Sequence, residues 1–458
     1  MTQESTSPRS DKPMLGMLSL VCLIVGNMIG IGLYVGSFYS MLSLQDARLV
    51  LLVWFVGGLY ALCGAIAYGA VARRLPVSGG EYTYLSRCVH PAIGFIAGWI
   101  SIIAGFTAPI AGAALLFGEY LNRFLGEGYS DQVRIFASLA IVAAAALHLL
   151  HVKVGAGFNN IVIGIKLVCF LVFLAIGVPF AMRAGYSGLL VDPAAPVPES
   201  LSIANRLKDG STIYNMIVSL FYVSLAYTGF NASIYLAGEI DRGPNTQNGR
   251  SLVSRSMWMA CLLVMIFYLL LNFVFLFGLD AQSIVDGGES YVAVVANNIG
   301  GPSLSILIQF TIILSAATSI LAMMATGPMV YAQMAKDGYL PKWLGATNQV
   351  PRLPILIQAS LCCILVWISE IKDIVGYLGL TLTACGALAV SSIWFAKKAF
   401  QENLPVRWYE HACTAIYVAG AILFLVVAAF SQREFNQFLL CMASFAAGLF
   451  VYVLVKWL

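Results

Sequence analysis

Charged residues are scarce in this sequence. Only 10% of the 458 residues are Asp, Glu, Lys or Arg, while 60% are hydrophobic. Soluble globular domains carry about 25% charged residues, so this balance, with a mean hydropathy of +0.87, excludes an ordinary soluble protein. The net charge of only +4 gives no reason to expect a nucleic-acid partner.

Residues for metal binding and covalent chemistry are also sparse. The chain has four histidines, and its ten cysteines are scattered, mostly within apolar runs, without metal-like spacing or external pairs. We therefore interpret the cysteines as reduced. No nucleophile-and-base pair, metal cluster or phosphate loop is found. The sequence argues against an enzyme and predicts no metal and no cofactor.

The chain is rich in long apolar runs. A helix needs about 20 apolar residues to cross a bilayer core, and about twelve such runs occur, some long enough to be tilted or broken. They lie near residues 15–40, 50–72, 91–122, 133–151, 157–182, 212–238, 253–278, 301–335, 353–369, 373–396, 408–430 and 436–457. The sequence therefore predicts an all-α polytopic protein with about twelve transmembrane helices in a lipid bilayer.

The distribution of lysine and arginine indicates the orientation. An even number of spans puts both termini on the same side of the membrane. If that side is the cytoplasm, sixteen lysines and arginines face the cytoplasm and eight face outside. Lys166 belongs to neither group, because it lies inside a span. This excess predicts cytoplasmic termini, and residues 1–13 are expected to form a disordered tail. Short tails and compact loops favour a bacterial inner membrane.

The first apolar run contains several glycines. Residues 26–34 read GNMIGIGLY, and Gly36 follows, although glycine costs about 1 kcal/mol relative to alanine inside a helix. One interpretation is that these glycines let a second helix pack closely. The other is a broken helix, because irregular backbone at membrane depth survives only beside protein or a water-filled cavity.

A second interruption favours the broken-helix interpretation. Residues 225–231 (LAYTGFN) place small and polar residues in the middle of the sixth run. Breaks in spans one and six are typical of a five-helix inverted repeat with its substrate site at the midplane. We therefore predict repeats over residues 14–184 and 212–398, an extracellular loop over 185–211 and accessory helices over 399–458.

The two breaks together fit the backbone of an α-amino acid. A helix that restarts after its break offers free N–H groups and about +0.5 of a charge to a carboxylate. Carbonyl groups freed at the other break accept hydrogen bonds from an α-ammonium group. The predicted substrate-binding residues are Gly30, Ile31, Gly32, Leu225, Ala226, Thr228, Gly229 and Asn231.

Lys166 is a third candidate, because it lies about two turns into the fifth span. A lysine near the bilayer centre costs about 2.5–3.5 kcal/mol on insertion, which makes it a functional candidate. The alternative is that its long side chain reaches back to the interface. If Lys166 is buried, its ammonium would bind or release a proton during transport, or act as a fixed cation between helices. Ser315 and Thr318 of the eighth span are its predicted partners.

Six sequence elements, in order, resemble the amino acid/polyamine/organocation (APC) transporter superfamily, particularly its amino acid permeases and L-type exchangers. They are the glycine-rich first span, VSGGEYTYL at 77–85, GFIAGW at 94–99, AYTGFN at 226–231, GEI at 238–240 before Pro244, and MAKDGYLP at 334–341. The match covers nearly the whole chain. It implies a leucine-transporter-type 5+5 inverted repeat that works by alternating access.

The resemblance also implies roles for individual residues. The segment from Gly30 to Gly32 would receive the substrate carboxylate, and the carbonyls of Leu225, Ala226 and Thr228 its amine. In related permeases the lysine that matches Lys166 occupies the place of a sodium ion, which implies sodium independence.

Some positions depart from the family pattern. Ile31 replaces a common serine or alanine and makes the pocket floor bulkier, and Leu225 replaces a frequent aromatic gate. The segment 327–329 lacks the arginine common before the loop that follows span eight. The loop near residues 126–134 has no cysteine, so a disulfide-linked heavy chain is not expected.

The sequence therefore predicts a sodium-independent transporter of neutral or zwitterionic L-amino acids, working as an exchanger or a proton symporter. Two alternatives remain open. A polyamine or organic amine permease would be expected to have carboxylates lining its pocket, and an amino acid sensor on the same scaffold would bind ligand without moving it.

Overall fold

The computed structural model describes residues 16–75, 80–126, 132–150, 152–184, 212–235, 247–345, 352–395, 404–431 and 434–457. The elements of these ranges are helices, as the composition predicts. The predicted cytoplasmic tail (1–13) and extracellular loop (185–211) lie outside the described residues.

The first half of the chain begins with a broken helix. Its parts α1 (Met17–Met28) and α2 (Ile31–Leu44) meet at a bend of 42°. The helices that follow are α3 (Ala47–Arg74), α4 (Gly80–Cys88), α5 (Pro91–Ile100), α6 (Ala108–Leu125), α7 (Val133–Leu150) and α8 (Val152–Arg183). A wide π turn over Ser101–Thr107 joins α5 to α6.

The second half also begins with an interrupted helix, formed by α9 (Thr212–Ala226) and the single turn α10 (Ala232–Tyr235). The helices after it are α11 (Gln247–Phe277), α12 (Ala281–Asp286), α13 (Tyr291–Lys336), α14 (Arg352–Ile368), α15 (Ile371–Phe395), α16 (Trp408–Phe430) and α17 (Phe435–Trp457). Helix α13 is kinked at Gly300 and Gly301, and Gly301 has a φ of 70°, which favours glycine.

Local sequence explains where several helices begin. The Asp46 carboxylate accepts a hydrogen bond of 2.9 Å from the Arg48 backbone N–H and caps α3. The His90 ring accepts from the Ala92 N–H, and Pro91 takes the first position of α5, where its missing N–H costs nothing.

Eight helices among the described residues are long and apolar enough to cross a membrane, and the bent pair α1 and α2 adds a ninth candidate. Three shorter apolar helices, α7, α9 and α14, lie where three further spans are predicted. The chain is an integral multi-pass membrane protein, while the number of twelve spans stays a prediction.

The packing of the helices brings the two interrupted helices together. Helix α2 packs against α9, α1 against α10 and α11, α3 against α11, and α6 against α13. The first span therefore packs against the sixth, the second against the seventh and the third against the eighth. Two inverted repeats would produce this pairing, and the proposed repeat boundaries stay a prediction.

Candidate functional site

The break in the first span consists of Ile29 and Gly30. Ile29 has left the helical conformation, with φ −76° and ψ 87°, and Gly30 is extended, with φ −134° and ψ −158°. The first amides of α2, those of Ile31 and Gly32, have no acceptor within the helix. These N–H groups stand at the positive end of the helix dipole and can bind an anion.

The two central glycines of the break have different surroundings. A Cβ on Gly32 would lie 2.5 Å from the Ala226 Cα and 2.6 Å from the Ala226 backbone nitrogen, so Gly32 allows α2 and α9 to touch. A Cβ on Gly30 would meet nothing nearer than the Ser319 Oγ at 3.8 Å. A methyl group at Gly30 would therefore make only an ordinary contact, whereas Gly32 allows close packing against Ala226 and Gly36 allows it against Trp54.

The second break runs from Tyr227 to Asn231, between α9 and α10. Gly229 has a φ of 96°, and a Cβ there would lie 2.7 Å from the Asn27 Nδ2. That same Asn27 amide donates to the Gly229 carbonyl at 3.4 Å. Gly229 thus allows the second break to lie directly against α1.

The predicted amine acceptors of the second break differ in their hydrogen bonding. The Leu225 carbonyl accepts from the Thr228 N–H at 3.0 Å and from the Thr228 hydroxyl at 2.7 Å. The Ala226 carbonyl accepts from the Tyr268 hydroxyl at 3.1 Å. Since Leu225 already has two local donors, Ala226 and Thr228 are the freer of the three predicted acceptors.

Tyr268 of α11 joins the two breaks. Its hydroxyl lies 2.7 Å from the Met28 carbonyl, at the end of α1, and 3.1 Å from the Ala226 carbonyl, at the end of α9. The side chain is fully buried. One hydroxyl proton is therefore shared between the carbonyl ends of both interrupted helices, where unpaired carbonyls would be costly.

Lys166 of α8 is also fully buried, so its side chain does not reach back to the membrane surface. Its Nζ donates to the Ile29 carbonyl at 3.3 Å, and the Ser315 hydroxyl of α13 donates to the same oxygen at 3.3 Å. The two ion pairs of the described residues involve other side chains. Lys166 therefore lies at the first break with no ion pair to another described residue, and its Nζ joins α8 to the same carbonyl that α13 contacts.

Thr318, the other predicted partner of Lys166, makes a different set of contacts. Its hydroxyl donates within its own helix, to the carbonyls of Leu314 at 3.0 Å and Ser315 at 2.8 Å. Ser319, one residue further along α13, is the side chain that approaches Gly30. Sequence reasoning missed it, although it follows Thr318 directly.

Ile31 is a buried apolar residue directly after Gly30. Its side chain is 9% exposed, and a Cβ on Gly112 of α6 would lie 3.2 Å from the Ile31 Cδ1 and 3.3 Å from the Ile374 Cγ2. The absence of a side chain at Gly112 therefore makes room for the bulky isoleucine.

Asn231 connects the second break to a buried carboxyl. Its Nδ2 donates to Glu81 of α4 at 3.2 Å, Cys385 donates to the same carboxyl at 3.2 Å, and the Tyr68 hydroxyl donates as well. Glu81 is 8% exposed. Burial raises the pKa of the Glu81 carboxyl, although the three hydrogen bonds oppose that rise.

Glu81 and Tyr268 were not predicted as site residues. Glu81 belongs to the 77–85 element, of which the described part starts at Gly80. Tyr268 lies in the run from Cys261 to Val274, in which Asn272 is the other residue with a polar side chain. Both side chains are polar and buried, and a buried polar group normally needs a hydrogen-bond partner.

A family model described as amino acid permease matches residues 15–454 of the chain. The chain is similar to the serine/threonine exchanger SteT of Bacillus subtilis, at 27% identity over 78% of this chain and 77% of that protein. It is also similar to b(0,+)-type amino acid transporter 1 of Mus musculus, at 21% identity over 96% of this chain and 87% of that protein. The large neutral amino acids transporter small subunit 2 of Homo sapiens is 21% identical over 80% of this chain and 66% of its own length.

Proposed function

Because the chain belongs to the amino acid permease family, we propose that it is a sodium-independent exchanger of neutral L-amino acids that works by alternating access. The family and the similar proteins are amino acid transporters rather than enzymes, so amino acid transport is the general activity. The class of amino acid transported, the coupling to an ion or to exchange, and the orientation in the membrane are proposals.

The observation that carries the proposal is the arrangement around the Ile29 carbonyl. Lys166 and Ser315 both donate to this oxygen, and at the next residue, Gly30, an added Cβ would meet nothing nearer than the Ser319 Oγ at 3.8 Å. A fixed ammonium at this carbonyl would stabilise the broken helix as a bound metal cation would. Transport would then need no sodium ion.

The surroundings of Gly30 favour a substrate with a neutral side chain. The free amides of Ile31 and Gly32 suit a carboxylate, and the carbonyls of Ala226 and Thr228 suit an α-ammonium group. Ile31, Gly112 and Ile374 lie together and would form the floor beneath the substrate side chain. These groups offer no charge to a cationic or anionic side chain.

Exchange is proposed ahead of proton symport because one similar protein is named a serine/threonine exchanger. The proton is the other candidate coupling ion, through Lys166. Cytoplasmic termini, a bacterial inner membrane and function without a disulfide-linked heavy chain also belong to this proposal. The distribution of lysine and arginine supports the orientation. The 126–134 loop, which has no cysteine, supports the absence of the disulfide link.

Proteoliposomes test the proposal directly. Vesicles loaded with unlabelled L-serine should take up labelled L-serine without sodium, and unlabelled neutral amino acids should compete better than lysine, glutamate or putrescine. Empty vesicles distinguish exchange from symport, because only symport fills them when a proton gradient is applied. Absence of flux for all twenty amino acids would refute transport, and ligand binding without flux would identify a sensor.

A further inference from the structure

A cavity of about 360 Å³ lies between α3, α11 and α16, apart from the two breaks. It is found where α3 ends and where α11 and α16 begin. Its lining combines basic, acidic and apolar side chains, among them Arg73, Arg255, Arg407, Glu410, Ile66 and Trp258. Its volume is large enough for a small polar ligand.

The carboxylate of this lining is already neutralised. Glu410 is 3% exposed and lies 3.0 Å from the Arg73 guanidinium. It also accepts a hydrogen bond of 2.8 Å from the Arg407 backbone N–H at the start of α16. One arginine and one helix N-terminus therefore compensate the single negative charge.

The other two arginines leave the cavity positive. The Arg407 guanidinium donates to the Tyr409 hydroxyl at 2.7 Å, a neutral partner. Arg255 is exposed, and within the part of the chain that the structure describes it makes no hydrogen bond or ion pair. The described lining thus carries two positive charges in excess.

The apolar side of the cavity faces the bilayer. Trp258 is 39% exposed, and exposed Met259, Leu262 and Leu263 continue that surface along α11. Tryptophan is typical of the boundary between membrane and water. A ligand here therefore meets positive charge on one side and hydrocarbon on the other.

We propose that this cavity binds the phosphate headgroup of an anionic membrane lipid, with Arg255 and Arg407 on the phosphate and the acyl chains against Trp258. Arginine binds phosphate by paired, charge-assisted hydrogen bonds, and basic pockets between transmembrane helices recognise anionic headgroups. With the orientation proposed above, the lipid comes from the cytoplasmic leaflet.

Thermal unfolding of the purified, detergent-solubilised protein tests this proposal. Dioctanoyl-phosphatidylglycerol should raise the Tm, whereas dioctanoyl-phosphatidylcholine and inorganic phosphate at the same concentration should not. The Arg255→Gln/Arg407→Gln double variant should need about tenfold more phosphatidylglycerol for half of the shift. Arg87→Gln, which removes an exposed arginine outside the cavity, should respond as the unaltered protein does.

Three results would overturn the lipid site. An unchanged response of the double variant would show that the arginines do not bind the headgroup. An equal shift with phosphatidylcholine would show that the net charge of the lipid is not recognised. An equal shift with inorganic phosphate would identify a site for soluble anions. These outcomes are independent of transport, because none requires flux.

Discussion

The ammonium nitrogen of Lys166 lies 3.3 Å from the carbonyl oxygen of Ile29, the residue at which the first half of the broken helix ends. This contact joins the fifth span to the break in the first span. A buried lysine of this kind is costly, and its contact with the Ile29 carbonyl lies beside the proposed substrate site.

Replacing Lys166 with alanine should abolish transport or change its pH dependence. The substitution removes the cation that holds the Ile29 carbonyl, and loss of a charged hydrogen bond costs about 1.5–3 kcal/mol. Uptake into proteoliposomes between about pH 5 and about pH 8 is the measurement. Lys336→Ala, at an exposed lysine at the end of α13, is the control. Unchanged kinetics at Lys166→Ala would reduce this lysine to a structural role.

Alanine at Gly30 and at Gly32 should have different effects. The Gly30→Ala methyl would make only an ordinary contact, 3.8 Å from the Ser319 Oγ, so this variant should fold with an unchanged Tm but bind substrate more weakly. The Gly32→Ala methyl would collide with the Ala226 backbone, and such overpacking costs about 1–3 kcal/mol. Tm and the KM for uptake separate the two effects. A normal KM in Gly30→Ala would exclude the proposed carboxylate position.

Tyr268→Phe should lower both stability and transport. It leaves two buried carbonyls, those of Met28 and Ala226, without their shared donor, and an unsatisfied buried group costs about 1–3 kcal/mol. Tyr60→Phe is a matched control, because the Tyr60 hydroxyl also donates to a carbonyl, that of Tyr417 at 2.9 Å, away from the breaks. The control should lower Tm alone. If both variants transport equally well, the bridge has no role in the transport cycle.

Glu81→Gln should flatten the dependence of stability on pH. The pKa of Glu81 is raised by burial, so the folded protein binds this proton more tightly than the unfolded chain does. Its contribution to stability is therefore complete below the ordinary glutamate pKa of about 4.3 and declines as pH rises through the raised value. Tm should fall with rising pH less steeply in the variant.

The control for this prediction is Glu370→Gln, which removes an exposed carboxylate. Its Tm profile should follow that of the unaltered protein. A Glu81→Gln profile with the same slope as the unaltered protein would show that Glu81 does not bind a proton in this range.

The helical architecture and the positions of both breaks follow from composition and from two glycine-containing interruptions. The all-α fold and the family are confirmed, because apolar length and short motifs are properties of contiguous sequence. The predicted site residues stay a prediction, although the structure brings Gly30, Ala226, Lys166 and Ser315 to one region.

The sequence could not predict which of two similar neighbouring residues contacts the opposite helix. Gly30 and Gly32 are two positions apart, yet a methyl group would be accommodated at Gly30 and would collide at Gly32 with a helix about 200 residues away in the chain. Thr318 and Ser319 are neighbours that face different directions. These differences depend on which helix lies opposite, and a single sequence carries little information about that.

The single proton on the Tyr268 hydroxyl has a thermodynamic consequence. Because it can be donated fully to only one of the two carbonyls at a time, a ligand that pulls Met28 away favours the bond to Ala226, and the reverse holds as well. Linkage makes this coupling reciprocal. A rearrangement at one break therefore changes the free energy of rearranging the other by the same amount in both directions, so the two proposed halves of the substrate site would be coupled through one side chain.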